Sequence, residues 1–80
     1  MQGLTVGRIV HFVMPSHEHR PAIVVKVFNL KSACVGLVNL IVFVDGLNDI
    51  KPTTHTLWET SICFDEDKKL PGTWHWIEKA

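Results

Sequence analysis

The grouping of the apolar residues is the feature that most constrains the fold of this chain. Short runs of β-branched and aromatic residues alternate with Pro, Gly, Asn and Asp, and no window repeats the spacing of an amphipathic helix over three turns. The 80 residues allow one small domain, residues 1–80. The pattern predicts an all-β fold, either a small five-stranded antiparallel barrel or a strongly bent sheet, Src-homology-like or OB-like.

Five strands are predicted, at about residues 5–14, 22–28, 35–44, 57–64 and 73–77, with Pro21 opening the second. The first places Val10, Phe12 and Met14 on one face and His11 on the other. The third is apolar on both faces, so we expect a partner subunit to cover one of them, in a homo-oligomer. Residues 45–56 are predicted to form a long loop of the kind that often carries function.

Charge and segment composition exclude several classes of protein. Eight basic and eight acidic residues give zero net charge, which argues against a duplex nucleic-acid partner. The chain shows no secretory signal, and its longest apolar run is about half of a membrane-spanning helix. Cys34 and Cys63 have no CxxC spacing, and Cys63 is expected as an inert buried thiol. These features predict a cytoplasmic protein without membrane contact.

Catalytic and metal-binding signatures are weak. His11, His17 and His19 lie close together in the sequence, which leaves a metal site open as an alternative, but they lack the spacing of known structural zinc sites. A polar hairpin tip with solvent-facing histidines explains them better than a metal site does. The sequence therefore predicts no enzyme activity, no cofactor and no metal ligand.

Tryptophan spacing suggests a binding surface. Trp74 and Trp76 share one face of the predicted last strand, and Trp58 is expected on a neighbouring strand. Indole faces stack well on nucleobases, although tryptophan also commonly closes a small core. Arg20 and His75 are predicted to contact phosphate or ribose. The remaining predicted ligand residues, which would read base edges, are Asn39, Asn48 and Asp49.

Several strings resemble small uncharacterised proteins of phages and prophages. They are residues 7–13 (GRIVHFV), 18–27 (EHRPAIVVKV), 38–49 (VNLIVFVDGLND), 60–66 (TSICFDE) and 71–76 (PGTWHW). The resemblance covers most of the chain and implies a viral accessory protein, expressed in the cytoplasm of an infected bacterium. Accessory proteins of this size include sponges that sequester the nucleotide second messengers of antiviral defence.

The sequence thus predicts a non-enzymatic phage protein that sequesters a cyclic dinucleotide-type messenger. Two other functions stay open at this point. A virion module, such as a capsid decoration or connector protein, explains the β fold and the second apolar face equally well. A module for single-stranded nucleic acid explains the aromatic residues but lacks a basic groove.

Overall fold

The computed structural model describes residues 1–28, 36–49 and 54–78. These residues form a five-stranded antiparallel sheet with the order β4-β3-β2-β1-β5. The elements are β1 (Ile9–Val13), β2 (His19–Val27), β3 (Val38–Phe43), α1 (Gly46–Asp49), β4 (Thr56–Ile62) and β5 (Trp74–His75). The predicted all-β class is confirmed in its bent-sheet form, because the sheet does not close into a barrel.

Alternation along the strands decides which side chains enter the core. Val10 and Phe12 of β1 share one face, as predicted, and the structure turns that face inward, with Met14 continuing it just beyond the strand. Val38, Leu40 and Val42 of β3 are fully buried. The core therefore lies on this face of β3, a choice that the doubly apolar sequence left undecided.

The chain after β4 crosses to the opposite edge of the sheet. Trp74 N donates to the Cys63 carbonyl at 3.0 Å, and Asp65 N donates to the Trp74 carbonyl at 2.9 Å. β5 thus lies between β1 and this short segment of residues 63–65. The prediction that Trp58 neighbours the last strand is wrong, because β4 and β5 form opposite edges of the sheet.

A tight turn connects β1 to β2, and it places His17 and His19 in different surroundings. Met14 N donates to the Glu18 carbonyl and His17 N to the Met14 carbonyl, both at 2.8 Å. His17 adopts a left-handed φ of 72° at the exposed tip, whereas His19 begins β2. Pro21 is the third residue of β2, not its first as predicted. Its lack of an N–H group breaks no bond to β3, because the pairing of β2 with β3 begins only at Ala22.

The outer face of the sheet carries an apolar row across four strands. Its members are Ile9, Ile23, Ile41 and Trp58, each paired in register with the next. Ile9 and Trp58 at the two ends are about half exposed. The row is the surface on which the expected homo-oligomer would form, and that oligomer stays a prediction.

Three other expectations concern the loop, the cysteines and the membrane. The predicted loop contains the short helix α1, and its residues 50–53, like Cys34 and Val35, lie outside the described residues. Cys63 is half-buried and disulfide-bonded, so the prediction of an inert free thiol is wrong. The cysteines therefore give less support to a cytoplasmic location.

Within the described ranges, no helix has the length and apolar character needed to cross a membrane.

Candidate metal centre

Strand register brings three histidines together on the outer face. His11 of β1 lies directly opposite His75 of β5. His19 starts β2 opposite Val13, two positions from the residue that faces His11, and side chains two apart share a face. The His75 ring centroid is 5.7 Å from that of His11 and 4.6 Å from that of His19. Three separate strands therefore supply one imidazole cluster.

Glu78 completes the cluster from the segment that follows β5. Its Oε1 atom lies 3.0 Å from His11 Nδ1, 2.6 Å from His19 Nδ1 and 2.5 Å from His75 Nε2. All four of these potential ligand atoms lie within 4.8 Å of one another. A single carboxylate oxygen thus lies within hydrogen-bond distance of three ring nitrogens, which is an unusually large number of partners for one acceptor atom.

The burial of the cluster is graded from inside to outside. The His75 side chain is fully buried, the side chains of His11 and His19 are partly buried, and that of Glu78 is 42% exposed. The second ring nitrogen of His75, Nδ1, is buried without a hydrogen-bond partner in the part of the chain that the structure describes. An unpaired buried nitrogen costs about 1–3 kcal/mol. An apolar residue would avoid this cost, so the position indicates a role for the imidazole beyond packing.

The electrostatics of the cluster favour an ionised carboxylate. Hydrogen bonds from His11, His75 and His19 lower the pKa of Glu78 from 4.5 to about 2. Glu78 therefore remains negatively charged throughout the neutral and mildly acidic range. A charged oxygen beside three imidazoles is a donor set that divalent transition metals bind well.

The dimensions of the cluster fit such an ion after small adjustments. Tetrahedral Zn²⁺, with bonds of about 2.0–2.2 Å to nitrogen and oxygen, spaces its ligand atoms roughly 3.3–3.5 Å apart. The present nitrogen–oxygen contacts would widen by less than about 1 Å, and the longest separation would shorten by about 1.5 Å. Side-chain rotation alone supplies movements of this size, because the backbones of the three strands already aim the rings at one point.

Other residues predicted to bind a ligand instead bind one another. Arg20 Nε and Nη2 donate to the Asp49 carboxylate at 2.7 and 2.8 Å, and Asp49 also accepts from Asp45 N at 2.7 Å. Asn48 Nδ2 donates to the Asp45 side chain at 2.6 Å. The Arg20 hydrogen bonds lower the pKa of Asp49. This network joins α1 to β2. The geometry therefore does not support the predicted contacts of Arg20 with phosphate, or of Asn48 and Asp49 with base edges.

The predicted stacking platform is divided between core and surface. Trp74 is fully buried, and its Nε1 donates to the Gly36 carbonyl at 2.7 Å, so its role is in the core and the predicted stacking role is wrong. Trp76 is half-buried and meets Trp74 edge-on, with ring centroids 5.0 Å apart. Asn39 Oδ1 accepts from Ser61 N at 2.9 Å beside the bulge between β3 and β4, which is a structural role.

Sequence spacing alone identifies only two of the four residues of this centre, His11 and His19. His17, considered there with His11 and His19, points away at the turn tip, while His75 and Glu78 join from the other end of the chain. The available signal was the His75-x-x-Glu78 spacing at the end of a strand. That signal is weak alone, because only strand pairing shows that β5 lies beside β1.

Comparisons with protein-family models, curated proteins and solved structures found no match to this chain. The resemblance to small phage proteins therefore stays a prediction. The geometry of the centre carries the functional argument alone.

Proposed function

We propose that this protein binds a divalent transition metal ion, Zn²⁺ in the first instance, through His11, His19, His75 and Glu78. The observation that carries the proposal is the convergence of three imidazole nitrogens from three strands on one carboxylate oxygen. Without an ion, that oxygen alone must satisfy all three rings. An ion at this point provides each nitrogen and the oxygen with a separate bond.

The donor set selects the type of ion. Imidazole nitrogen suits Zn²⁺, Cu²⁺, Fe²⁺ and Ni²⁺, whereas Ca²⁺ and Mg²⁺ prefer sites built entirely from oxygen. Four protein ligands around one ion are typical of structural zinc sites, which keep no position open for substrate. The ion would therefore join β1, β2, β5 and the segment to Glu78, and stabilise the folded chain.

Direct metal titration tests this proposal. Purified, chelator-treated protein is titrated with Zn²⁺ by calorimetry, and the bound metal is counted by elemental analysis. We expect one ion per chain, and an affinity at least about 100-fold lower in H19A and E78A, since each ligand provides a share of the total binding energy of about 10–16 kcal/mol. Co²⁺ in place of Zn²⁺ should show the visible absorption of a tetrahedral complex.

The variant H17N is the matched control. His17 is an exposed histidine two residues from His19, and asparagine tolerates its left-handed backbone. H17N should bind Zn²⁺ like the unmodified chain. If that chain takes up no Zn²⁺, or if H17N and H19A lose affinity equally, the proposal is wrong, and the cluster is a metal-free latch between the imidazoles and Glu78.

A second candidate function is the nucleotide binding predicted from the sequence, moved to a different surface. A groove of about 400 Å³ is lined by Gly7, Arg8, Ile9, Trp76 and Ile77. The Arg8 guanidinium lies 5.4 Å from the Trp76 ring centroid. Arg8 has no acidic partner among the described residues. A stacked guanidinium with free donors suits a ligand with an aromatic ring and a phosphate, such as a cyclic dinucleotide.

This second proposal is tested by native mass spectrometry with a panel of cyclic di- and trinucleotides. We expect a stoichiometric nucleotide adduct that is lost in the variant R8Q. The variant R20Q removes the same charge where the guanidinium is already paired with Asp49, so its adduct should persist. The absence of any adduct, or equal loss in both variants, would count against nucleotide binding and leave the metal proposal unaffected.

A further inference from the structure

A second cavity opens at one end of the core, away from the histidines and from the Arg8 groove. It has a volume of about 400 Å³, within the usual range for small-ligand pockets. Its walls are mostly apolar and come from Phe12, Met14, Pro15 and Leu57. The cavity therefore offers contact area to a hydrophobic ligand of about one ring in size.

Glu59 is the unusual residue in this cavity. It pairs with Leu40 in the β3–β4 ladder and occupies the core-facing side of the sheet, as does Leu57 two residues earlier. It is half-buried, and within the described ranges its side chain makes no hydrogen bond or ion pair. A partly buried carboxylate beside apolar side chains is costly without a positive partner. The position therefore calls for a cation.

The other carboxylate of the cavity is already neutralised. Asp49 also lines the wall, but its two oxygens accept from Arg20 at 2.7 and 2.8 Å. Glu59 is thus the one uncompensated charge among the described lining residues. An anionic ligand, including a nucleotide phosphate, would meet repulsion here, whereas an organic cation would meet attraction.

We propose that this cavity binds a small organic ammonium ion, with its apolar body against Phe12, Met14 and Leu57 and its charged nitrogen at the Glu59 carboxylate. The ligand class is a primary alkyl- or arylamine. The site does not depend on the metal centre, because neither set of residues shares a member with the other.

The test uses benzylamine and its neutral analogue benzyl alcohol as probes, at pH 7 and in the complete chain. Binding is followed by two-dimensional amide NMR, which reports site by site on Phe12, Leu57 and Gly72 around the cavity. We expect benzylamine to bind at least about 10-fold more tightly than the alcohol, because a charge-assisted hydrogen bond is the stronger kind. In E59Q this preference should disappear while the amide spectrum stays folded.

The variant D67N is the matched control. Asp67 is an exposed carboxylate on the turn after β4, so its removal changes the net charge by the same amount away from the cavity. D67N should retain the preference for the amine. The proposal is overturned if neither probe shifts the cavity amides, or if E59Q and D67N bind benzylamine equally well. A site that binds both probes equally in the unmodified chain would be a neutral apolar pocket, which also overturns it.

Discussion

Two polar clusters lie on this small sheet, and they differ in how their atoms are satisfied. In the Arg20–Asp49 network both oxygens of the Asp49 carboxylate accept from Arg20, and Asn48 donates separately to Asp45. In the histidine cluster three ring nitrogens, from His11, His19 and His75, share the single Oε1 atom of Glu78. A buried carboxylate whose two oxygens both have donors is explained by its structural role alone. A cluster in which three nitrogens compete for one acceptor atom is a place where an ion would give each nitrogen a bond of its own.

The largest expected effect separates the two clusters by thermal unfolding with added metal. At a free Zn²⁺ concentration 100 times the Kd, binding should stabilise the chain by about 2.7 kcal/mol. For a domain of this size that raises Tm by roughly 10–20 °C. The rise should be absent in H19A and intact in R20A. Equal rises in both variants would place the metal elsewhere and remove the distinction between the clusters.

The next effect concerns the complete network alone. R20A leaves the Asp49 carboxylate, whose side chain is 2% exposed, without its main partner. Because a buried charge without a partner is strongly unfavourable, we expect a Tm several degrees lower and an unchanged Zn²⁺ affinity. A double-mutant cycle with D49N measures the coupling between the two side chains. Additive losses in that cycle would show that the pair contributes nothing specific.

A third prediction uses the pH dependence of the metal-free cluster. The pKa of Glu78 is lowered to about 2, so the folded state binds this proton less readily than the unfolded state. The stabilising contribution of Glu78 is therefore complete above its ordinary pKa of 4.5 and is lost as pH falls toward 2. Urea unfolding at pH 5 and pH 3 should show this loss in the unmodified chain. The loss should be smaller in E78Q, and an identical loss in both would exclude Glu78 as its source.

The smallest effect tests a predicted ligand residue that became structural. N39A removes the acceptor for Ser61 N beside the β3–β4 bulge. One hydrogen bond of this kind contributes about 0.5–1.5 kcal/mol, so the urea midpoint should fall slightly. N39D keeps the acceptor and should recover most of the stability. A large loss of Zn²⁺ affinity in N39A would contradict the separation between the bulge and the metal centre.

Comparison with the sequence shows which of its predictions rested on local information. The common face of Val10 and Phe12 follows from alternation along one strand, and the structure confirms it. Alternation also predicts that Trp74 and Trp76 share a face. A stacking role requires in addition that this face is exposed to solvent, which alternation does not show. The fold turns Trp74 into the core, where its indole nitrogen bonds to Gly36.

The candidate sites needed information that lies far apart in the chain. His11 and Glu78 are separated by 67 positions, and Arg20 and Asp49 by 29. Spacing between neighbouring residues contains no signal for either pair. Both were therefore beyond the sequence, although His75, Arg20 and Asp49 were each recognised as chemically notable residues.

Local residue patterns are enough to predict that the chain forms strands, because short β-branched runs between turn residues stabilise extended backbone whatever the partner strands are. They also determine the alternation of faces, which is a property of each strand alone. Which face becomes the core, and which side chains meet, is settled by the packing of the strands against one another. Those choices depend on strand order and on the bend that places β5 beside β1, which bring His11, His19, His75 and Glu78 to one point.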